Sequence, residues 1–289
     1  MMKGLITKGI GGFYYVKTEG GIYQCRPRGI FRARGIKPMV GDDVMIEVQP
    51  DGDAVIDEIL ERSNCFDRPP VANIDMMITV FAAASPKPNT VVIDRFLAAS
   101  EYAGVEIAVC LNKTDIGSPE VIKRMTDIYG RIYRFVPMCA VTGEGIDRLE
   151  EIIKGKRAAF AGPSGVGKST LLNQLCPEAR AETAAVSGKT SRGRHTTRHV
   201  EIFETDSGAM IFDTPGFTSF DTAAMGPEDL QYCFPEIRNL AGRCRYDNCM
   251  HLKEPGCAVT EAVEDGRVSR ERYGSYVSQY NDILESRKY

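Results

Sequence analysis

The chain has 289 residues, 43% hydrophobic and 26% charged, with a formal net charge of −3. This is ordinary globular composition with room for two or three domains, and no apolar run approaches the length of a membrane span. Nine cysteines without a secretory signal pattern read as reduced thiols in the cytosol, which excludes a disulfide-stapled secreted scaffold. The slight negative charge gives no global sign of nucleic-acid binding, but the charges are unevenly spread. From Gly20 to Val40 there is no acidic residue, only Arg26, Arg28, Arg32, Arg34 and Lys37. From Thr183 to Val200 there is again none, with Lys189, Arg192, Arg194, His195, Arg198 and His199.

Residues 1–66 read as five short strands, including Phe13–Val16, Ile22–Cys25, Val44–Val48 and Ala54–Leu60. Asp51-Gly52 between the last two is a hairpin signal. Such spacing fits a small Greek-key barrel, an OB-fold. The basic loop would project from it and track RNA phosphates, with Phe31 available to stack on a base. Asp67-Arg68-Pro69-Pro70 reads as a linker.

From Ile74 strands and helices alternate, as in a parallel sheet covered on both faces. Strands are expected at 74–81, 105–111 and 132–136. Helices are expected at 90–103, with Val92, Phe96 and Ala99 or Ala103 inward, at 119–129 and at 146–153. Asn112-Lys113-Thr114-Asp115 follows the second strand and matches N-K-x-D. A carboxylate there can accept both the ring N–H and the exocyclic amine of guanine. Cys139-Ala140-Val141 reads as the turn that supports the base. Gly155-Lys156-Arg157 links onward to the apolar strand at 158–161.

Gly162-Pro163-Ser164-Gly165-Val166-Gly167-Lys168-Ser169-Thr170 then fits G-x-x-x-x-G-K-[ST], the phosphate-binding loop. Its glycines let backbone N–H groups converge at a helix N-terminus. Lys168 is expected on the outer phosphates and Ser169 on Mg²⁺. Met210–Phe212 is a further strand, followed by Asp213-Thr214-Pro215-Gly216, a D-x-x-G motif. Asp213 would serve Mg²⁺ through water and the Gly216 N–H would meet the γ-phosphate. Between them, 187–198 reads as a switch loop in which Thr196 or Thr197 completes the Mg²⁺ shell. Phe217 stands where Ras-type enzymes carry a water-orienting Gln. An apolar ring cannot orient water, so His195 is the candidate. N-K-x-D thus precedes the phosphate loop and D-x-x-G, the order of a circularly permuted GTPase; adjacent termini make such a permutation feasible.

Beyond residue 223 the pattern changes. Cys244, Cys249, His251 and Cys257 form a Cys₃His set suited to one structural tetrahedral Zn²⁺. The stretch from Ser269 to Lys288 reads as a helix packed on this module, with Tyr273, Tyr276 and Tyr280 as a structural stripe.

The run NKTD, GPSGVGKST, GRHTTR, DTPG and CRYDNCMHLKEPGCAV, behind a small barrel, resembles the ribosome small-subunit-dependent GTPase A (RsgA) family over nearly the whole chain. The resemblance implies an OB-fold (1–66), a circularly permuted GTPase domain (67–222) and a zinc-binding, mostly helical domain (223–289). It also implies a cytoplasmic GTP hydrolase acting late in assembly of the small ribosomal subunit and stimulated by it. Its partners would be that subunit, its rRNA and GTP or GDP, with no membrane, and the chain is expected as a monomer. Cys139 departs from the Ser common at its position, but its role is through the backbone. Two other readings are a metabolic or regulatory GTPase whose barrel and zinc module recognise a protein or small molecule, and an RNA-binding scaffold with a purely structural nucleotide site. Stimulation by the subunit separates the first from the leading reading, and turnover separates the second.

Overall fold

A computed structural model of the chain describes residues 1–49, 53–67, 69–177, 179, 200–217 and 225–287. The described residues pack as two compact units: those within 1–76, 147–160, 169–179 and 200–217, and those within 77–146, 161–168 and from 225 on.

In the first unit, β1 (Met2–Ile10), β2 (Phe13–Thr18), β3 (Gly21–Pro27), β4 (Asp43–Val48) and β5 (Ala54–Ile59) pair in the order β1-β2-β3-β5-β4. A β1–β4 pairing closes the barrel, so no edge of it is left open on that side. The alternating pattern puts Ile6, Val16, Cys25, Val44, Ile46 and Ile56 inside, all fully buried. The antiparallel β4–β5 pair is the expected hairpin. The barrel is continuous with a further sheet: β1 pairs β12 (Glu201–Glu204) at Lys8 and Glu201, and β12 pairs β13 (Met210–Phe217), in the order β11-β13-β12-β1 with β11 at Arg157–Ala161. The expected linker is instead a two-stranded ribbon, β6 (Cys65–Asp67) with β7 (Pro70–Ala72). Two apolar residues next to its prolines, Val71 and Ala72, are fully buried, which gives the ribbon its reason to order.

In the second unit, β8 (Met76–Ala82), β9 (Glu106–Asn112) and β10 (Arg134–Pro137) lie in the order β10-β9-β8, with β9 and β10 parallel. With α1 at Gly29–Ala33 and α4 at Ile146–Ile153, the helices α2 (Thr90–Tyr102) and α3 (Pro119–Tyr129) pack on them through Ile93, Leu97, Met125, Tyr129, Phe81 and Phe135. Asn89 caps α2 by accepting from the Val91 and Val92 amides, and Ser118 with Pro119 starts α3. The inward face of α2 runs through Ile93, Asp94 and Phe96 to Ser100, whereas Val92 is only half-buried. Phe96 and Ala99 are thus inward as expected. The C-terminal part is mostly helical, with helices Pro235–Arg238, Ala258–Glu264 and Arg270–Ser286. Its core of Leu230, Phe234, Ile237, Tyr276 and Ile283 also packs on Ala98 of α2.

Candidate nucleotide site and metal centre

β11 ends at Ala161 and α5 (Lys168–Leu175) begins six residues after Gly162, as the phosphate-loop motif requires. Leu171, Leu172 and Leu175 anchor the helix in the core. Two glycines are obligatory for packing as well as for conformation. At Gly162 (φ +136°) a Cβ would lie 2.1 Å from the Val80 carbonyl oxygen, and at Gly167 (φ +102°) 2.3 Å from Asn112 Nδ2. Lys168 Nζ donates to the Gly162 and Pro163 carbonyls at 2.5 and 2.7 Å, and burial lowers its pKa. Ser164, Gly165, Ser169 and Thr170 are exposed, while Val166 is buried.

The N-K-x-D residues stitch this loop to the 138–140 turn. Asn112 Nδ2 donates to the Val166 carbonyl at 2.8 Å, and Asn112 Oδ1 accepts from the Ala140 N–H at 2.9 Å. Lys113, in the left-handed conformation (φ +62°), donates to the Gly165 carbonyl at 2.6 Å and to the Ser85 carbonyl. The Thr114 hydroxyl donates to the Met138 carbonyl at 3.0 Å. Asp115 stands exposed on the 3₁₀ turn Thr114–Ile116. Cys139 is buried and its N–H donates to the Glu144 carbonyl, so its place in the turn is held by backbone. Three of the four motif side chains therefore build the cradle, and the carboxylate stays available at its rim. Within the turn expected to support the base, the Ala140 N–H donates to Asn112.

Asp213 is half-buried in β13, in register with Glu201. The strand runs on through Gly216 to Phe217, so D-x-x-G lies within the strand and not after it. His195, Thr196 and Thr197 lie outside the described residues, as do the other basic residues from Lys189 to His199.

The Cys244, Cys249 and Cys257 thiols and the His251 ring offer ligand atoms all within 4.8 Å of one another. His251 Nδ1 lies 3.5 Å from the sulfurs of Cys244 and Cys257. Its Nε2 lies 3.1 Å from Oε1 of the buried Gln231. Donation from Nε2–H to that oxygen leaves the Nδ1 lone pair facing the thiols, the arrangement that orients a metal-bound imidazole. Burial lowers the His251 pKa and so favours this neutral form. The same burial pushes the Cys249 thiol up to about 12, so binding a cation must release protons. Three soft donors and one imidazole, closed off by burial, fit a tetrahedral metal. The tyrosine stripe serves this loop: Tyr273 donates to the His251 carbonyl and Tyr276 to the Met250 carbonyl, both at 2.8 Å.

On the barrel, Arg26, Arg28, Arg32, Arg34 and Lys37 are exposed as expected. Phe31 is not available for stacking. It is only 8% exposed, because the loop folds into a short helix, Gly29–Ala33, that turns the ring inward. Arg28 is paired with Glu47 and Asp57, both at 2.6 Å. The aromatic groups on the outer face of the barrel are Phe13 and Tyr15 of β2, on the side opposite the buried Val16. The Arg26 guanidinium lies 4.6 Å over the Phe13 ring.

Two junctions escaped sequence reasoning. Arg157 forms a bidentate pair with Asp43 of the barrel at 3.0 and 2.8 Å. Arg272 of the C-terminal helix, 1% exposed, bonds Asp94 of α2 and Glu236. Each pair is separated by more than thirty positions (|i−j| = 114, 178 and 36), and a single charged residue carries no periodicity that reveals its partner.

A phosphate loop, a guanine motif that cradles it from earlier in the chain, and D-x-x-G on a later strand define the class: a circularly permuted P-loop GTPase. The RsgA GTPase family model matches residues 59–223, and that of the RsgA N-terminal domain matches residues 3–56. The chain belongs to the RsgA family and is a GTP hydrolase. It is 46% identical to the small ribosomal subunit biogenesis GTPase RsgA of Clostridium beijerinckii, over 99% of each chain. It is 43% identical to the protein of the same description in Clostridium perfringens, again over 99% of each. Among solved structures it resembles YjeQ from Thermotoga maritima (TM-score 0.85, 33% identity, 98% of each chain). It also resembles YloQ, described as a circularly permuted GTPase (TM-score 0.84, 36% identity, 99% of this chain and 96% of that one).

Proposed function

We propose that this GTPase binds the small ribosomal subunit through rRNA and couples GTP hydrolysis to a late step of its maturation, working as a cytoplasmic monomer. The full-length similarity to small ribosomal subunit biogenesis GTPases carries this reading. Among the described residues no helix is long and apolar enough to cross a membrane. The functional domains are 1–66, 67–222 and 223–289, a division supported by the spans of the two family models.

Asp115 reads guanine, supported by its exposed place at the rim of the cradle. Gly162 to Thr170 wrap the phosphates, with Lys168 supplying charge. Ser169, Asp213 and Thr196 or Thr197 would hold Mg²⁺, which would supply charge neutralisation on the phosphate oxygens. The exposed Ser169 hydroxyl at the start of α5 suits that role. Gly216 supplies its N–H to the γ-phosphate and His195 orients the attacking water. The Cys₃His centre holds one structural Zn²⁺, favoured by thiolate softness and tetrahedral donor number.

For rRNA, the exposed guanidinium and ammonium groups of Arg26, Arg32, Arg34 and Lys37 meet phosphates, joined by Arg28 once it leaves its carboxylates. Phe13 and Tyr15 replace Phe31 as stacking groups, supported by the Phe13–Arg26 contact on the face that OB-folds use for oligonucleotides.

The direct experiment is GTPase turnover with and without purified small subunits, with co-sedimentation in a non-hydrolysable GTP analogue and in GDP. Stimulated turnover and tighter association with the analogue are expected. Equal turnover, or equal sedimentation in both nucleotides, would defeat the ribosomal switch. Asp115→Asn should weaken GTP binding by about 2–3 kcal/mol and improve binding of a xanthine nucleotide. Unchanged GTP affinity would remove the base-reading role.

A further inference from the structure

The barrel is joined to the two strands that lead into the nucleotide motifs. Arg157 is the first residue of β11, which runs directly into Gly162. Its backbone is held by Asp75, which accepts from the Arg157 N–H at 2.8 Å and returns its own N–H to the Arg157 carbonyl at 2.8 Å. Its guanidinium forms the fork with Asp43 at the start of β4 and reaches the Gly41 carbonyl at 3.5 Å. Gly41 (φ +96°) is the barrel residue pressed against β13: a Cβ there would lie 2.0 Å from the Ala72 carbonyl oxygen and 2.9 Å from the Phe212 ring. Phe212, 1% exposed, is the residue immediately before Asp213.

We propose that Arg157 and Asp43 are positioning residues for GTP hydrolysis: their bidentate pair sets the height of β13, and through Phe212 the place of Asp213. The proposal rests on the reading of Asp213 as the residue that serves Mg²⁺. Magnitudes favour positioning over bulk stability. The two side chains are 21% and 26% exposed, so the pair is mostly buried but still reached by water, and it contributes on the order of 1 kcal/mol to folding. The planar fork nevertheless fixes both distance and angle, which a single ammonium contact does not. A displacement of about 1 Å at a reacting centre costs up to roughly a hundredfold in rate. Losing the pair therefore shows in catalysis at least as much as in folding.

The test uses the full-length protein and steady-state GTP hydrolysis at varied Mg²⁺ for Asp43→Arg, Arg157→Asp, the reciprocal double variant, the milder Asp43→Asn, and Asp213→Asn. Each single reversal should lower kcat about tenfold, raise the half-saturating Mg²⁺ concentration, and leave KM for GTP within about twofold. The double variant should recover most of both losses, because the fork is rebuilt with its ends exchanged. Wild-type kcat and Mg²⁺ dependence in Asp43→Asn, beside an Mg²⁺-sensitive Asp213→Asn, would overturn the positioning role alone. An Asp213→Asn variant with unchanged Mg²⁺ dependence would overturn the reading of the site and the positioning role with it. If the reversals melt the protein, Asp43→Asn decides: a lowered melting temperature at normal kcat makes the pair a structural staple and sinks the proposal.

Discussion

Arg157 and Arg272 each fasten a flanking module to a part of the chain that carries nucleotide motifs, and they do so with opposite physics. Arg157 is partly exposed, at 21%, and meets one carboxylate, Asp43, through a planar fork. Arg272 is sealed from water, bonded to Asp94 at 2.7 Å and to Glu236 at 2.7 and 3.0 Å, with its guanidinium 4.6 Å over the Phe234 ring. Burial alone would lower the Arg272 pKa, but Asp94 and Glu236 raise it well above the ordinary value, so it stays charged. Tyr129 completes the network by donating to Asp94 at 3.0 Å. A hydrated pair can open and reform with little change in free energy. A sealed one cannot lose a partner without leaving a charge in an apolar interior. The barrel is thus held by a contact that sets geometry, and the C-terminal module by one that resists separation.

The strongest way to break this contrast is to strip the metal proposed for the Cys₃His cluster. Tyr273 and Tyr276, close to Arg272 on the same helix, bond carbonyls of the ligand loop, so that loop and helix share their support. Structural zinc sites contribute on the order of 10 kcal/mol. Chelation should therefore raise hydrogen exchange throughout 244–257 and along the C-terminal helix while β8–β10 stay protected. Protection of the helix after chelation would show that the Arg272 network suffices alone.

Next in size is Asp94→Ala, which strands the buried guanidinium and should lower stability by about 3–5 kcal/mol in urea denaturation. A loss below 1 kcal/mol would mean that Glu236 and the aromatic faces satisfy Arg272 by themselves. Asp43→Asn sharpens the other side: its stability change should stay within about 1 kcal/mol. A larger loss would make the two junctions alike. The smallest expected effect is a control. Lys123→Ala removes the exposed Lys123–Asp127 pair on α3, 77% and 57% exposed, and should cost no more than about 0.5 kcal/mol.

Much of the fold was legible because its signals are local. Strand alternation placed the barrel, and phosphate-loop spacing placed the turn between β11 and α5. The metal centre was legible for the same reason, since four ligands within fourteen positions need little folding to meet. Phe31 was misread because aromatic and basic residues side by side describe a stacking loop and a small amphipathic helix equally well. Only the helix shows which way the ring turns. The ribbon at 65–72 was misread because two adjacent prolines signal a linker, whereas burial of Val71 and Ala72 depends on residues far along the chain.

The sequence by itself determined the chemistry: which residues carry thiols, imidazole and carboxylates, the glycines of the phosphate loop, and the order of motifs that marks the permutation. Those are properties of side chains and of short-range backbone conformation, readable without neighbours. Tertiary structure alone decided how those parts are held. It showed that Asn112 and Lys113 build the cradle while Asp115 stands at its rim, that Gln231 orients His251, and that Arg157 and Arg272 find Asp43 and Asp94. A hydrogen bond between residues over a hundred positions apart depends on where the backbone brings two strands or helices, and no short stretch of sequence contains that distance.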